Sequence, residues 1–510
     1  MEKRGAMSVN WETGWLEGRR RLSPDRIAVV DGETGRRWSY DLLYRRSVRV
    51  ARTLSAMGIS RGDRVAFLSP NDASVFAVIF ACERLGAVFV PLNWRLSPRE
   101  LNGILEDAKP KVLAFHRRME HLAAELSAPA VVPYERLDPD FPPEPEEGEA
   151  ADYPSLSDPA MILYTGGTTG KPKGVVLTHG SIFWNSVNTI LSWQLTAKDR
   201  ALSCLPMFHT GGLNALSIPV LHAGGTLVII DRFDPDKVMD VIEREGCTIA
   251  LMVPTMYHQI IRSPRFADKS FPTMREFLSG GAPCPREVYQ SFAAKGLPFR
   301  EGYGLTEAGP NNFVTDPSTA RRKPGTVGKP MIYNQVRIVS EDGTDAPTGS
   351  VGEIWLRGGH LFDRYWNNSG ATAEALVDGW LKTGDLGMRD EEGDHYIVGR
   401  KKEMIVTGGE NVYPAEVEQL IADHPEVEQA VVVGAPDPKW GEAVVAVVVP
   451  KEGSRLTDEG LRSHLRGKLA SYKIPKSFRF IGELPKTPVG KIDKRAVLRL
   501  FAQKESSSER

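Results

Sequence analysis

Apolar residues in the first part of the chain switch repeatedly between helical and strand-like spacing. Trp38 to Met57 repeats at the helical period, Arg64-Val-Ala-Phe-Leu reads as a short strand, and Ala73 to Leu85 reads as a buried helix. The run Ala160-Met-Ile-Leu-Tyr predicts another strand. Thr226-Leu-Val-Ile-Ile and Ile249-Ala-Leu-Met-Val predict two more, with a helix over Asp236 to Glu245 between them. This rhythm predicts an α/β fold class, with two layered α/β subdomains. From about Lys323 to Val398 the pattern becomes short strands with glycine turns, which predicts a β-rich subdomain. The tail after Gly399 predicts a small α+β unit. Its helix starts at Pro414 and aligns Val417, Leu420 and Ile421; strands follow over Gln429 to Val433 and Ala443 to Val449. A second helix over Thr457 to Ala470 places Leu461, Leu465 and Leu469 on one stripe, behind Asp458 and Glu459. Phe141 to Pro159, rich in Pro, Glu and Ser, predicts a surface linker.

Composition narrows the class of protein. The 510 residues exceed one ordinary core, so at least two domains are expected. A net charge of −1 gives no global field for nucleic acid or an anionic membrane. Cys82, Cys204, Cys247 and Cys284 form no CxxC pair, which fits a reducing cytoplasm better than a disulfide framework. The charged opening residues predict no secretory signal, and Val75 to Val90, broken by Glu83 and Arg84, is too short to span a bilayer.

Candidate chemistry begins at Tyr164-Thr-Gly-Gly-Thr-Thr-Gly-Lys-Pro-Lys-Gly. Four glycines allow close backbone approach, and the hydroxyls and lysines suit a polyphosphate. The loop is not a Walker A motif, because Gly166 and Gly170 are one residue too close and Pro172 follows Lys171. Five further segments stand downstream: Leu205-Pro-Met-Phe-His-Thr-Gly-Gly, Glu301-Gly-Tyr-Gly-Leu-Thr-Glu, Gly352-Glu-Ile-Trp-Leu-Arg-Gly, Trp380-Leu-Lys-Thr-Gly-Asp-Leu-Gly and Gly399-Arg-Lys-Lys-Glu-Met-Ile-Val-Thr-Gly-Gly-Glu-Asn. Pro485-Lys-Thr-Pro-Val-Gly-Lys-Ile-Asp-Lys closes the series. In this order the motifs resemble those of the adenylate-forming acyl-CoA synthetases, the family of fatty acyl- and aryl-CoA ligases.

That resemblance implies an N-terminal AMP-binding domain over residues 1–398, a hinge over 399–402 and a mobile C-terminal domain over 403–510. It implies ATP and CoA as co-substrates, with Mg²⁺ as cofactor. Thr165, Gly166, Gly167, Thr168, Thr169, Gly170 and Lys173 are expected on the phosphates, although Gly166 stands where the family often carries Ser. Gly281, Ala282, Glu301, Gly302, Tyr303 and Thr306 are expected around the nucleotide, with Tyr303 on the adenine. Glu307, with Thr165, is expected to hold the metal. Asp385 is expected to accept from the ribose hydroxyls, with Arg400 as a second ribose and phosphate contact. Lys402 falls at the pivot. Lys491 is the expected catalytic residue of adenylation, whereas Lys486 and Lys494 read as solvated charges. For CoA the expected set is Gly408 and Gly409 along the pantetheine, Trp440 on the nucleotide, and Arg95, Lys473 and Lys476 on the phosphates.

His209 and Gly211 are expected in the acyl pocket. No Asp or Glu lies in that segment to bind a substrate ammonium, so a fatty or aromatic acid is favoured. Two other readings stay open: an acyl-AMP ligase that loads a carrier protein, and a catalytically inactive nucleotide-binding scaffold. A homodimer is compatible with the sequence, and oligomeric state is otherwise open.

Overall fold

The computed structural model describes residues 13–138, 153–165, 172–487 and 492–502. Most of the expected linker, and the phosphate-loop residues Gly166, Gly167, Thr168, Thr169 and Gly170, lie outside them, as does Lys491. The chain divides into two compact units. The larger holds the chain up to Gly281, then Val288–Val336 and Leu356–Lys382; the smaller holds Ala282–Glu287, Arg337–Trp355 and the chain from Thr383 onward.

The larger unit contains two seven-stranded sheets. In the first, Phe299–Glu301, Glu276–Ser279, Ile249–Met252, Arg200–Ser203, Thr226–Ile229 and Ile27–Asp31 run parallel in that order, and Arg37–Ser39 closes the edge antiparallel. In the second, Val88–Leu92, Arg64–Leu68, Val112–Phe115 and Ala130–Pro133 are parallel. Pro159–Thr165 joins them in parallel and returns antiparallel as Lys173–Thr178, which carries Arg364–Tyr365 on its far edge. Ser39 caps the helix Tyr40–Ala56 by accepting from Leu42 N at 3.1 Å, and Leu43, Val50 and Leu54 form its buried stripe. The helix Ser74–Leu85 is buried along nearly its whole length, which explains its lack of a polar face. It stops at Gly86, whose φ of 63° favours glycine. The apolar stretch Val75 to Val90 is therefore a helix and a strand, and among the described residues no helix is long and apolar enough to cross a membrane.

In the smaller unit, Glu410–Val412, Ile405–Thr407, Gly441–Pro450 and Val427–Asp437 form an antiparallel sheet, and Ser477–Phe480 adds in parallel to Gly441–Pro450. Val432, Val444, Ala446 and Val448 pack on one face with Val417, Ile421, Leu461 and Leu465. Val431, Val445, Val447 and Val449 pack on the other with Leu484 and Val497. Burial on both faces is why Val444 to Val449 reads as an unbroken apolar run. The second tail helix spans only Asp458–Leu465, not Thr457 to Ala470. Arg466, at a ψ of 134°, already leaves the helix, Gly467 follows at a φ of 77°, and Leu469 still reaches the core.

Glu83 is the anomaly of the large core. It is buried in the helix Ser74–Leu85, accepts from Gly14 N at 3.2 Å, and lies 3.9 Å from His179 Nδ1. Burial drives the His179 pKa down to about 4, so His179 brings no charge to meet the carboxylate. Burial pushes the Glu83 carboxyl up to about 7 from 4.5, against the opposing effect of the Gly14 hydrogen bond. The fold thus favours the neutral acid, and its stability falls as pH rises from 4.5 through 7. Glu83→Gln keeps the acceptor and removes the ionisation. It is expected to gain up to about 3 kcal/mol over wild type at pH 8 and much less at pH 5, read as the difference in thermal midpoints. An equal difference at both pH values contradicts the assignment.

Candidate active site

The hairpin that brackets the phosphate loop sets Thr165 directly opposite Lys173. Thr165 Oγ1 donates to Lys173 O at 3.5 Å. Gly174 is required by crowding rather than by torsion: a Cβ there would come within 2.9 Å of Ile162 Cγ2 and 3.1 Å of Trp366 Cβ. Glu307 sits in the short turn Thr306–Ala308, where its carbonyl accepts from Phe362 N at 2.8 Å. Tyr365, a residue the motif reading did not single out, links these groups. Its hydroxyl donates to Glu307 Oε1 at 2.8 Å, and Lys173 Nζ lies 5.0 Å from its ring centroid. Thr165, Lys173 and Glu307 are thus brought to one place.

The expected nucleotide residues follow the carboxyl ends of two adjacent parallel strands, the position where open α/β sheets bind ligands. Gly280 and Gly281 follow Glu276–Ser279; Gly302 and Tyr303 follow Phe299–Glu301. A Cβ on Gly280 would lie 3.7 Å from Gly302 O and one on Gly302 4.0 Å from Ser279 O, ordinary van der Waals contacts, so the two glycines adjoin each other at the strand ends. Gly281 is exposed with a φ of 85°, Ala282 is exposed, and Tyr303 is buried edge-on to Phe313 at 5.8 Å. Thr306 is buried, and the buried Glu301 carboxylate accepts from Tyr289 at 2.8 Å. His209 Nδ1 accepts from Gly211 N at 3.1 Å, which places the ring proton of the neutral imidazole on Nε2. A Cβ on Gly211 would lie 3.4 Å from that nitrogen. Arg95 lies over Trp94 and Phe208 at 5.1 and 5.8 Å, and burial, then the charge of Arg232, lowers its pKa.

The smaller unit holds the remaining residues. Asp385, only 4% exposed, stands opposite Arg400 across a strand pair, and Arg400 Nε lies 2.8 Å from its Oδ1. Burial, reinforced by Arg400, holds Lys402 below the usual lysine range. Lys494 is not the solvated charge its local sequence suggests. It reaches Glu403 at 3.0 Å and Glu418 at 3.6 Å, carboxylates from distant parts of the unit. Burial opposes its charge, but Glu418 and Glu403 outweigh burial and raise its pKa. Lys486 pairs with Glu483 at 2.8 Å.

Gly408 N donates to Trp440 O at 2.8 Å, and a Cβ on Gly408 would lie 2.9 Å from the indole. Gly408 and Gly409 have φ of 61° and 87°. Trp440 is 42% exposed, with Lys476 and Lys439 Nζ 4.5 and 4.6 Å from its ring centroid. Lys439 escaped the motif reading. Lys473 instead pairs with Glu416 at 2.8 Å.

In the larger unit Thr165, Lys173 and Glu307 suit a phosphate and a metal ion; in the smaller unit the indole of Trp440 is flanked by two ammonium groups. The AMP-binding enzyme family matches residues 16–366, and the AMP-binding enzyme C-terminal domain matches 416–491. The chain belongs to the AMP-binding enzyme family. It is 41% identical to a feruloyl-CoA synthase of Amycolatopsis sp, over 96% of this chain and 98% of that one. It is 39% identical to an indoleacetate–CoA ligase of Aromatoleum aromaticum, with the same coverage. The o-succinylbenzoate coenzyme A synthetase of Bacillus subtilis, solved with ATP and magnesium ion, superimposes with a TM-score of 0.84 at 32% identity, covering 94% of this chain and 98% of that one. The protein is an acid–CoA ligase that works through an acyl-adenylate.

Proposed function

We propose that this ligase activates an aromatic carboxylic acid with Mg²⁺ and ATP and passes the acyl group to CoA. The observation that carries the reading is the gathering of Thr165, Lys173 and Glu307 beside the phosphate loop. Among the described residues no cluster of three or more metal-ligating side chains occurs. One carboxylate whose second oxygen has no partner among the described residues, together with the Thr165 hydroxyl, fits Mg²⁺, which usually takes one or two carboxylates plus substrate phosphates. Glu307 and Thr165 would hold it, and when bound it neutralises phosphate charge.

In the first half-reaction a carboxylate oxygen of the acid attacks the α-phosphorus. The bond to the β-phosphate breaks, and pyrophosphate leaves. Lys173 and the Thr165 to Gly170 loop hold the departing phosphates, while Lys491 bridges acid and α-phosphate oxygens as charge builds. Tyr303 packs on adenine between Gly281-Ala282 and Glu301-Gly302, with Thr306 beside the α-phosphate. Asp385 accepts from the ribose hydroxyls, and Arg400 both orients Asp385 and reaches the nucleotide. In the second half-reaction the CoA sulfur attacks the acyl carbon and AMP leaves. Residues 399–402, with Lys402 as pivot, swing the C-terminal domain 403–510 between the two tasks. Gly408 and Gly409 then pass the pantetheine, Trp440 carries the CoA nucleotide, and Arg95, Lys476 and Lys439 meet its phosphates; Lys473 steadies the platform through Glu416.

The acid lies against His209 and Gly211, near the strand ends that carry Gly280 and Gly302. The relatives that act on ferulate and indoleacetate support an aromatic acid over a fatty one. The reaction belongs in the reducing cytoplasm, which four buried free thiols support.

A panel of aromatic and straight-chain acids, assayed by pyrophosphate release with ATP, Mg²⁺ and CoA, tests the substrate class. Aromatic acids are expected to give the highest kcat/KM, and a preference for long aliphatic chains contradicts that class. Release without CoA consumption favours a carrier-loading ligase, and no release with any acid favours an inactive scaffold. Lys491→Ala is expected to lower adenylation by about 100-fold or more while sparing transfer from a preformed acyl-adenylate; equal losses in both steps contradict its role. Gly408→Ala forces a left-handed φ on alanine and pushes the indole aside. It is expected to raise the KM for CoA about tenfold, about 1.4 kcal/mol, with CoA-independent pyrophosphate release intact. Loss of that release instead places Gly408 in the first step.

A further inference from the structure

Glu307 and Lys173 carry opposite charges and both approach Tyr365, yet among the described residues no ion pair joins them. The phenol lies between them. Its hydroxyl donates to Oε1 of the carboxylate, and its ring receives the ammonium. A Lys–Glu pair formed in its place would consume the two charges that Mg²⁺ and the phosphates need.

The backbone around Tyr365 is built to hold it there. Tyr365 is the cross-strand partner of Val175, two residues beyond Lys173, and Trp366 N donates to Gly174 O at 2.7 Å. Tyr365 N donates to Thr372 Oγ1 at 3.0 Å, and the ring meets Phe362 edge-on at 4.9 Å. Asp107 clamps both sides of the hairpin. It accepts from Tyr164 OH at 2.6 Å, one residue before Thr165, and from Trp366 Nε1 and Asn367 Nδ2 at 3.1 and 3.2 Å. The phenol is thereby fixed in the same frame as the two ends of the phosphate loop.

We propose that Tyr365 is a positioning residue: it holds Glu307 through Oε1 so that Oε2 faces the metal, and it keeps Lys173 from pairing with that carboxylate. This rests on Glu307 being a metal ligand. Groups that orient a metal-binding carboxylate typically change metal affinity by 10- to 100-fold when removed.

Calorimetric titration of ATP into the full-length enzyme, with Mg²⁺ and with EDTA, tests it without turnover. Tyr365→Phe keeps the ring and loses the donor. It is expected to weaken ATP binding about tenfold in Mg²⁺ and not in EDTA, and to raise the Mg²⁺ concentration for half-maximal pyrophosphate release by a similar factor. Tyr365→Leu also frees Lys173 to pair with Glu307, so it is expected to weaken ATP in both conditions. An unchanged Mg²⁺ dependence in Tyr365→Phe overturns the proposal, as does an equal loss with and without metal. Glu307→Gln separates the two levels. If it leaves the Mg²⁺ dependence intact, the metal reading falls and takes this proposal with it; if it removes that dependence and Tyr365→Phe does not, only the role of Tyr365 falls.

Discussion

Thr165 and Lys173 face one another because the strands Pro159–Thr165 and Lys173–Thr178 return on each other in antiparallel register, and the proposed phosphate site depends on that pairing. The pairing brings the two ends of a short polar loop together and fixes where a hydroxyl and an ammonium enter it. A slip of one residue would send both side chains to the opposite face. The neighbouring strand locks the register, since Tyr365 pairs with Val175 and Arg364 with Val176, while Asp107 holds Tyr164 on one side and Trp366 on the other. The two described ends of the loop and Glu307 therefore share one support, as the proposed site needs.

The smaller unit solves a different problem. Its sheet buries valines on both faces, so it is a rigid body with its own core. Its candidate groups are held in place locally: buried Asp385 by Arg400, and exposed Trp440 set against Gly408 and flanked by two lysines. In the proposed scheme one set of groups serves adenylation and the other the thiol, and each is preorganised before it is used.

The alternation of strands and helices was legible in the chain, because apolar periodicity is local. The neighbours of Glu307 in sequence singled it out, and the structure brings it to Lys173 through Tyr365. Legibility failed where a residue's meaning comes from distant partners. Tyr365 lies 58 residues from Glu307, and nothing adjacent in sequence marks its hydroxyl as a donor. Lys494 reads as solvated because Glu403 and Glu418 arrive from the start of the unit, and Lys473 is taken up by Glu416 in the same way. The tail helix was read too long because the leucine spacing continues past Arg466 and Gly467, where the chain leaves the helix and carries Leu469 to the core by another path.

The central claim is that an aromatic acid is activated as its adenylate before CoA takes part. Acid-dependent exchange of labelled pyrophosphate into ATP, measured with Mg²⁺ and without CoA, tests it most directly. The account predicts exchange that requires both the metal and an aromatic acid. Exchange that appears only when CoA is added, or that no carboxylic acid supports, would contradict it.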